Sequence, residues 1–361
     1  MDFGISVYLT KDYNFHQNIS YIDMARQHGM NSVFTSLHLP EINYEEKLDE
    51  FFALAKEVKS RGMNFTVDIS PYTMNVLNSS VDNLKTFSES GVNCIRVDYG
   101  FDLEEISTMT RNEFDIKIQI NASTITPAQL EALKKFEADF TRISSCHNFY
   151  PRPETGLSYK FFFEKTKLLK SFGLPVYAFI PSREGRRGPI YDGLPTLEMH
   201  RNIKPGIAAR HLIYTRLIDG VYFGDAYASY SEIKEVMDID PEIIDLSIEL
   251  TPGISCEEKN IVFAPVHTNR FDTSDIIIRS EESRGYAKIG EKIKPRNTVE
   301  RRAFSVTIDN EKYLRYSGEL QIVLKDLSAD GRVNVVGFIP EDEHILVSQI
   351  NPGTKFRFRK G

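Results

Sequence analysis

The sequence predicts a (β/α)₈ barrel followed by a smaller β-rich domain, and three observations support this fold class. A short sequence unit repeats along the first part of the chain, apolar strands alternate there with amphipathic helices, and the pattern changes after Asp240-Pro241. A barrel of this kind takes about 250 residues. In a chain of 361 residues, the remainder is long enough for one further small domain.

The repeated unit ends a helix with a glycine, which is followed by an apolar residue, an asparagine and a strand. The copies are Gly29-Met30-Asn31, Gly62-Met63-Asn64 and Gly91-Val92-Asn93, with Gly173-Leu174-Pro175 as a looser copy. A glycine suits the left-handed position that closes a helix. The strands that follow are rich in Val, Ile and Phe, which is typical of strands covered on both faces.

Eight strands are predicted, and amphipathic helices such as 44–61, 78–90 and 127–138 lie between them. The predicted strands span residues 3–8, 32–36, 65–69, 94–98, 116–120, 140–144, 176–180 and 220–223. An open, doubly wound sheet is the structural alternative, but it would usually carry a glycine-rich phosphate loop after its first strand. The sequence at that place is Tyr8-Leu9-Thr10-Lys11, so the barrel is favoured.

The carboxyl-terminal part of the chain is predicted to be a small all-β domain, either a closed barrel or a sandwich. Its short apolar or alternating segments are separated by Gly, Pro, Asp and Asn. They span residues 243–250, 260–264, 275–278, 298–306, 319–323 and 332–338. We therefore predict a catalytic barrel over residues 1–240 and a β-rich domain over residues 246–361.

The charge distribution argues against nucleic acid or a membrane as a partner. The formal charge is −7, and residues 1–245 carry the excess, with 34 acidic against 26 basic side chains. An acidic barrel repels polyanions. The amino terminus has no basic segment or long apolar run, and the three cysteines are widely scattered. These features predict a cytoplasmic protein without a disulfide framework.

Carboxylates recur where the predicted barrel strands end, which is where the chemistry of such barrels takes place. They are Glu41, Asp68, Asp98, Glu154, Glu184 and Asp225. Hydrolysis of a glycoside needs two carboxyl groups, one protonated to serve the leaving oxygen and one ionised as base or nucleophile. A single aspartate at a strand end has a simpler interpretation as a helix cap or an arginine partner, and Asp98 has Arg96 two residues away.

The segment after the seventh strand is a candidate anion site. Arg183, Arg186 and Arg187 are separated by small residues, and guanidinium groups bind phosphate or carboxylate in a bidentate manner. A solvated loop with surface salt bridges is an equally weighted interpretation. Arg152, after the sixth strand, is a weaker candidate of the same kind.

The histidines form no His-x-His or His-Glu-x-x-His pattern, so neither a metal nor another cofactor is predicted. His38 and His147 lie at predicted strand ends, where we expect them to orient substrate through hydrogen bonds. Aromatic residues beside the same loops are candidate platforms for sugar rings, although each is individually more typical of a core. They are Tyr8, Tyr72, Tyr99, Phe149, Tyr150 and Tyr227.

Five segments together resemble a bacterial family associated with 6-phospho-N-acetylmuramidase activity. The segments are Leu37-His38-Leu39-Pro40-Glu41, Asp68-Ile69-Ser70-Pro71, Arg96-Val97-Asp98-Tyr99-Gly100, the run from His147 to Gly156, and His267-Thr268-Asn269-Arg270-Phe271-Asp272. The run after the sixth strand is the most specific of these. The resemblance covers essentially the whole chain, and it implies a cyclophilin-like fold for the carboxyl-terminal domain.

The resemblance implies hydrolysis of the β-1,4 bond of N-acetylmuramic acid 6-phosphate–N-acetylglucosamine during the recycling of cell-wall peptidoglycan. The partner would then be this small phosphorylated disaccharide. The resemblance does not assign catalytic roles to individual residues. For the catalytic pair we favour Glu154 and Asp225, followed by Asp98, Asp68 and Glu41, and retention or inversion stays open.

The predicted substrate contacts are polar and aromatic residues of the rim, together with one arginine of the second domain. They are Arg183, Arg186, Arg187, Arg152, His38, Asn121, His147, Asn148, Tyr150, Tyr8 and Arg270. A metal-dependent phosphosugar isomerase or aldolase and a non-catalytic binding protein remain as alternatives. The oligomeric state also stays open, with a homodimer as one alternative.

Overall fold

The computed structural model describes residues 1–37, 44–286 and 292–360. The chain divides into two compact units, Met1–Ile239 and Asp240–Gly361. The predicted fold class is confirmed, because the first unit contains a closed parallel barrel and the second contains a separate mixed sheet.

The barrel consists of eight parallel strands that pair in chain order, with the last strand closing on the first. They are β1 (Asp2–Ser6), β2 (Ser32–Ser36), β3 (Asn64–Ile69), β4 (Cys94–Val97), β5 (Lys117–Asn121), β6 (Ile143–Cys146), β7 (Val176–Ile180) and β8 (Gly220–Phe223). The largest departure from prediction is β6, which begins three residues late. Residues Phe140–Arg142 form a 3₁₀ turn there because Asp139 caps it by accepting a hydrogen bond from the Thr141 amide.

Helices follow the strands. They are α1 (Phe15–Gln27), α2 (Tyr44–Ser60), α3 (Pro71–Val76), α4 (Lys85–Ser90), α5 (Leu103–Thr110), α6 (Pro127–Lys135), α7 (Tyr159–Ser171), α8 (Pro205–Tyr214) and α9 (Tyr230–Met237), with a further 3₁₀ turn at Glu198–His200. None of the helices in the described part of the chain combines the length and apolar character that a membrane crossing requires.

The repeated glycine–asparagine unit has a structural explanation. Gly29, Gly62, Gly91 and Gly173 all have positive φ angles, from 67° to 102°, as the helix-closing position requires. The Asn31 side chain then accepts a hydrogen bond from the Phe3 amide at 3.1 Å, and Asn93 accepts one from the Phe65 amide at 2.8 Å. In these two copies the asparagine ties the start of one strand to the preceding strand.

Aromatic side chains fill the inside of the barrel. Phe34, Phe179 and Tyr222 form a buried cluster with Cys146, and Phe149 packs against it. The rings of Phe34 and Phe179 are 5.3 Å apart in an edge-to-face arrangement. A packed interior leaves the strand ends as the place where a small molecule can enter.

The second unit is built on a seven-stranded mixed sheet. Its strands are β9 (Ile244–Leu250), β10 (His267–Thr268), β11 (Ile277–Arg279), β12 (Ser305–Asp309), β13 (Leu320–Val323), β14 (Val333–Phe338) and β15 (Lys355–Lys360). Their order in the sheet is β10-β15-β9-β14-β12-β13-β11, with β15 and β9 parallel. The two edge strands are also joined, because Asn269 and Ser280 form an antiparallel bridge and the Arg270 amide donates to the Arg279 carbonyl oxygen at 3.1 Å. This closure favours the predicted closed barrel over the sandwich.

Two elements of this unit differ from the all-β prediction. The predicted strand 260–264 lies largely within helix α10 (Cys256–Val262), because Ser255 and Glu258 form a capping box that starts a helix here. Strand β15 was not predicted. Its alternation of Lys, Phe and Arg is explained by a tertiary contact, in which Arg357 and Arg359 bind the Asp245 carboxylate. Two short helices, α11 (Ser283–Tyr286) and α12 (His344–Val347), and two 3₁₀ turns complete the unit.

Asp309, at the end of β12, is a buried carboxyl group that is only 4% exposed, and its Oδ1 has no hydrogen-bond partner in the described residues. Burial raises its pKa to about 7, and the charges of Glu319 and Asp330 add to this rise, whereas Arg301 and Gln321 oppose it. The folded state therefore holds a proton on Asp309 more tightly than the unfolded chain does.

The stability of this unit should accordingly fall as the pH rises. The contribution of protonated Asp309 is fully present below the unfolded pKa, near 3.8, and is lost as the pH passes through about 7. We expect Asp309→Asn, which cannot ionise, to exceed the wild type in unfolding free energy at pH 8 by on the order of 2 kcal/mol. The difference should be clearly smaller at pH 5, where part of the contribution of protonated Asp309 remains, as measured by urea unfolding with circular dichroism.

The exposed residue Asp275 provides the control. Asp275→Asn should leave the difference between pH 5 and pH 8 unchanged. Equal stability of Asp309→Asn and the wild type at pH 8 would contradict the burial argument.

Candidate active site

A cavity of about 110 Å³ lies among the carboxyl ends of the barrel strands. Its lining combines charged and aromatic side chains, namely Phe34, Asp68, Arg96, Asp98, Asn148, Phe149 and Phe179. The aromatic rings belong to the packed interior below, whereas the charged groups come from the ends of β3 and β4. The cavity therefore has an apolar floor and an ionised wall.

The wall is organised by Arg96, whose guanidinium is shared between two carboxylates. Its Nη1 donates to Asp68 Oδ1 at 3.0 Å, and its Nη2 lies 3.4 Å from Asp98 Oδ1. The same Nη2 also donates to the side-chain oxygen of Asn148. One positive charge thus faces two acidic groups, and the cluster can readily hold one proton.

The two aspartates have different surroundings. Asp68 is buried and accepts a hydrogen bond from the Ser36 hydroxyl at 3.0 Å. Burial raises the pKa of Asp68, and the neighbouring Asp98 charge raises it further, while Arg96 opposes the rise. The Asp98 side chain is 28% exposed and accepts a hydrogen bond from Asn121 at 2.6 Å. Asp68 is therefore the group that favours the protonated state, and Asp98 is the accessible one.

Arg187 places a positive charge near this cavity. It is 7% exposed, and its Nε and Nη1 atoms have no hydrogen-bond partner in the described residues. The guanidinium carbon lies 4.4 Å from the centre of the Tyr8 ring and 6.0 Å from that of Phe149. A buried guanidinium without a counter-ion is costly. Phe149 also lines the cavity, so this ring lies close both to the aspartates and to the Arg187 guanidinium.

The loop that carries Arg187 is fixed by the Asp225 carboxylate. Asp225 is 0% exposed, and its two oxygens accept hydrogen bonds from the amides of Ser182, Arg187 and Leu194 at 2.9–3.0 Å. Both oxygens are occupied and shielded from solvent. The structure therefore does not support Asp225 as a catalytic carboxylate, because its hydrogen-bonding capacity serves the loop.

Glu232, in the first turn of α9, acts on the same loop. It accepts hydrogen bonds from the Arg183 amide at 2.7 Å and the Ser182 hydroxyl at 2.9 Å. Gly185 lies so close to the following β8 loop that a Cβ atom would approach the Ala226 carbonyl oxygen to 2.2 Å. The loop after β7 is thus held rigidly before any ligand binds.

A second ion pair ties the loop after β6 to the loop after β7. Arg201 binds the Glu198 carboxylate through two hydrogen bonds of 2.7 Å and donates to the backbone oxygens of Gly193 and Tyr150, both at 3.0 Å. Glu198 in turn accepts from the Glu154 amide at 3.0 Å. Glu154 takes part through its backbone, with a left-handed φ of 69°, and its side chain is exposed. The two carboxyl groups of the predicted pair thus differ in surroundings, since that of Glu154 is exposed and that of Asp225 is enclosed.

Several residues that were predicted to contact the substrate make hydrogen bonds within the protein instead. His147 is fully buried, its ring nitrogens lie 3.3 Å from the Ser123 hydroxyl and 3.0 Å from the Thr166 hydroxyl, and burial lowers its pKa to about 3. Tyr8 is also fully buried. Its hydroxyl donates to the Gly224 carbonyl, and burial raises its pKa to about 12. We therefore assign structural roles to His147 and to the Tyr8 hydroxyl.

The other predicted substrate-contact residues differ in their exposure to solvent. Arg183 and Arg152 are exposed on the surface, while Arg186 is partly buried and its Nε has no partner in the described residues. Tyr150 is half-buried, and burial raises its pKa, with the Asp98 charge adding to the effect. Arg270, in the second unit, is partly buried and binds Asp272 through hydrogen bonds of 2.8 and 3.0 Å. His38 and Glu41 lie outside the described residues.

Sequence reasoning overlooked Arg96 as a site residue and Glu198 and Arg201 as supports. In the sequence, Arg96 is only an ion-pair partner that would give Asp98 a structural role. The spacing of Glu198 and Arg201, three residues apart, is a signal for a local ion pair, but it does not reveal that the pair spans two loops. Within residues 1–37, 44–286 and 292–360, no group of three His, Cys, Asp or Glu side chains is arranged to hold a metal ion.

Family comparisons match both units of the chain. The model described as 6-phospho-N-acetylmuramidase, N-terminal, matches residues 3–238, and the model described as 6-phospho-N-acetylmuramidase, C-terminal, matches residues 244–359. No curated protein matches the chain.

Two solved structures resemble the chain over nearly its whole length. An uncharacterised B. cereus protein is 32% identical, with a TM-score of 0.89 and an alignment that covers 99% of each chain. A conserved Enterococcus faecalis protein of unknown function is 36% identical, with a TM-score of 0.74, and the alignment covers 100% of this chain and 96% of that one.

The role of Asp225 in the loop predicts a loss of stability on substitution. Asp225→Asn places an amide group against backbone donors, so we expect the unfolding free energy to fall by about 2 kcal/mol or more. Urea unfolding followed by circular dichroism measures this change. Glu184→Gln, at an exposed carboxylate of the same loop, should be neutral. An Asp225→Asn protein with wild-type stability and no activity would restore Asp225 as a catalytic candidate.

Proposed function

The chain belongs to the 6-phospho-N-acetylmuramidase family, a family of glycoside hydrolases, and on this basis we propose that it cleaves a phosphorylated cell-wall disaccharide. The bond is the β-1,4 linkage of N-acetylmuramic acid 6-phosphate–N-acetylglucosamine. The proposal includes a role in peptidoglycan recycling in the cytoplasm, where a sugar phosphorylated on import would be found.

The observation that carries the proposal is the placement of acidic and basic groups close to the same ring, Phe149. Asp68 and Asp98 line the cavity with this ring, and the Arg187 guanidinium lies 6.0 Å from its centre. A phosphorylated sugar has the same polarity, since the bond to be cleaved and the 6-phosphate are at different ends of one ring. A single sugar above Phe149 would meet both groups.

Asp68 and Asp98 have the properties that the two chemical roles require. Burial raises the pKa of Asp68, so this group can hold the proton that the leaving oxygen takes up. Asp98 is more exposed and is held by Arg96 and Asn121, which fixes the position of its carboxyl group for the role of base or nucleophile. In this assignment Arg96 and Asn148 position the pair.

Arg187 is assigned to the 6-phosphate, with Arg186 as a second candidate on the same loop. A phosphate dianion would supply the counter-charge that Arg187 lacks among the described residues. Because the loop is anchored by Asp225 and Glu232, little ordering would be needed on binding, and preorganisation of this kind favours affinity.

The proposed reaction is tested by incubating the purified protein with the phosphorylated disaccharide and, separately, with its unphosphorylated analogue. We expect cleavage of the phosphorylated compound alone, and the same rate in the presence of EDTA. Products are measured by chromatography with mass detection. Absence of cleavage of both compounds would overturn the proposal, and loss of activity in EDTA would favour a metal-dependent reaction.

Two substrates with different leaving groups distinguish the role of the acid from that of the base or nucleophile. Asp68→Asn and Asp98→Asn should each lower kcat on the disaccharide by about 10³-fold. On 6-phospho-N-acetylmuramyl fluoride, whose fluoride needs no proton to depart, Asp68→Asn should recover most of its activity and Asp98→Asn should not. In the wild type, kcat/KM on the disaccharide should fall as the pH rises through the raised pKa of Asp68. Recovery of Asp98→Asn instead would reverse the assignment.

The phosphate role is tested by Arg187→Gln. We expect KM for the phosphorylated disaccharide to rise at least tenfold, because the variant loses a charge-assisted contact. Steady-state kinetics with Arg183→Gln, at the exposed arginine of the same loop, should give wild-type values. A similar rise in KM for both arginine variants would count against a specific phosphate site.

A further inference from the structure

Two exposed tyrosines lie on the rim beside the acidic pair. Tyr72 follows β3 and is 57% exposed, and Tyr99 follows Asp98 directly and is 72% exposed. Leaving so much aromatic surface in contact with water is unfavourable. Both tyrosines lie at the end of the barrel that carries the cavity. Their exposure places both side chains outside the packed interior of the barrel.

The loops that carry these tyrosines pack against each other. Gly100 has a φ of +90°, and a Cβ atom there would lie 2.7 Å from Cδ of Pro71. The parent strands are paired neighbours, with Asp68 in register with Arg96. Each tyrosine is adjacent in sequence to one of the two contacting residues, so the tyrosines belong to one continuous section of the rim.

The chemistry of this section differs from that of the arginine loop. Residues 70–80 and 98–102 contain no Lys or Arg, and their charged members are Asp98 and Asp102. In an eight-stranded barrel that pairs in chain order, β3 lies opposite β7, which leads into the Arg187 loop. An anion would be bound on the β7 side, whereas the tyrosine section suits an uncharged ring with an apolar face.

We infer that Tyr72 and Tyr99 form a stacking subsite for the uncharged leaving sugar. This inference rests on the proposed function and adds the direction of the substrate. The phosphorylated sugar lies above Phe149 with its phosphate toward Arg187, the cleaved bond lies at Asp68 and Asp98, and the second sugar extends over the tyrosines. The subsite would select disaccharides over phosphorylated monosaccharide derivatives with small leaving groups.

Two substrates test the subsite, namely the phosphorylated disaccharide and 6-phospho-N-acetylmuramyl fluoride, which has no second sugar. We expect Tyr72→Ala and Tyr99→Ala to lower kcat/KM on the disaccharide, about tenfold for the double variant, and to leave the fluoride rate unchanged. Tyr72→Phe and Tyr99→Phe, which keep the ring, should retain most of the activity. Tyr230→Ala, at a tyrosine of α9 that is 52% exposed, is the matched control.

The possible outcomes separate this inference from the proposed function. Unchanged disaccharide kinetics in the double alanine variant, or an equal loss on the disaccharide and the fluoride, would overturn the subsite while the hydrolase assignment stands. A wild-type protein that cleaves neither compound would overturn the proposed function and the subsite with it.

Discussion

The site depends on one buried guanidinium that is shared by two carboxylates. Arg96 cannot lose its proton at any relevant pH, so it permanently offsets one of the negative charges of Asp68 and Asp98. The second charge has no equivalent partner within the cluster, and burial makes it costly at Asp68. The arrangement therefore favours the protonated form of Asp68, and a protonated carboxyl group is one of the two groups that acid–base cleavage of a glycoside needs.

Arg187 shows the opposite imbalance, because it is a buried cation without a described carboxylate partner. Its guanidinium is held against the Tyr8 ring, which offers only part of the stabilisation that an anion would. Acidic groups that line the cavity and the basic Arg187 thus lie close to the same ring, Phe149. The proposed substrate matches this placement, since it carries its negative phosphate on one carbon and the bond to be cleaved on another.

Three acidic side chains of the barrel, Asp225, Glu232 and Glu198, support loops. Asp225 and Glu232 bind the backbone of the loop after β7, and the Glu198–Arg201 pair joins that loop to the one after β6. Carboxylates that accept several amide hydrogen bonds stabilise a loop strongly, because each bond is charge-assisted. A ring of acidic residues at strand ends is therefore an ambiguous signal, as catalytic and supporting carboxylates occupy the same sequence positions.

The sequence by itself determined the barrel, because the glycine at each helix end and the apolar strand that follows are local features with local causes. It also indicated the arginine loop and placed Asp68, Asp98, Asn121 and Asn148 at the catalytic end. Only the tertiary structure decided which carboxylates are accessible: Asp225 and Asp98 look alike in the sequence, yet one is enclosed by three amides and the other faces the cavity. The same limit applies to His147, whose ring turns toward Thr166 of α7. Burial and hydrogen-bond partners depend on residues far apart in the chain, so a pattern of neighbouring residues cannot determine them.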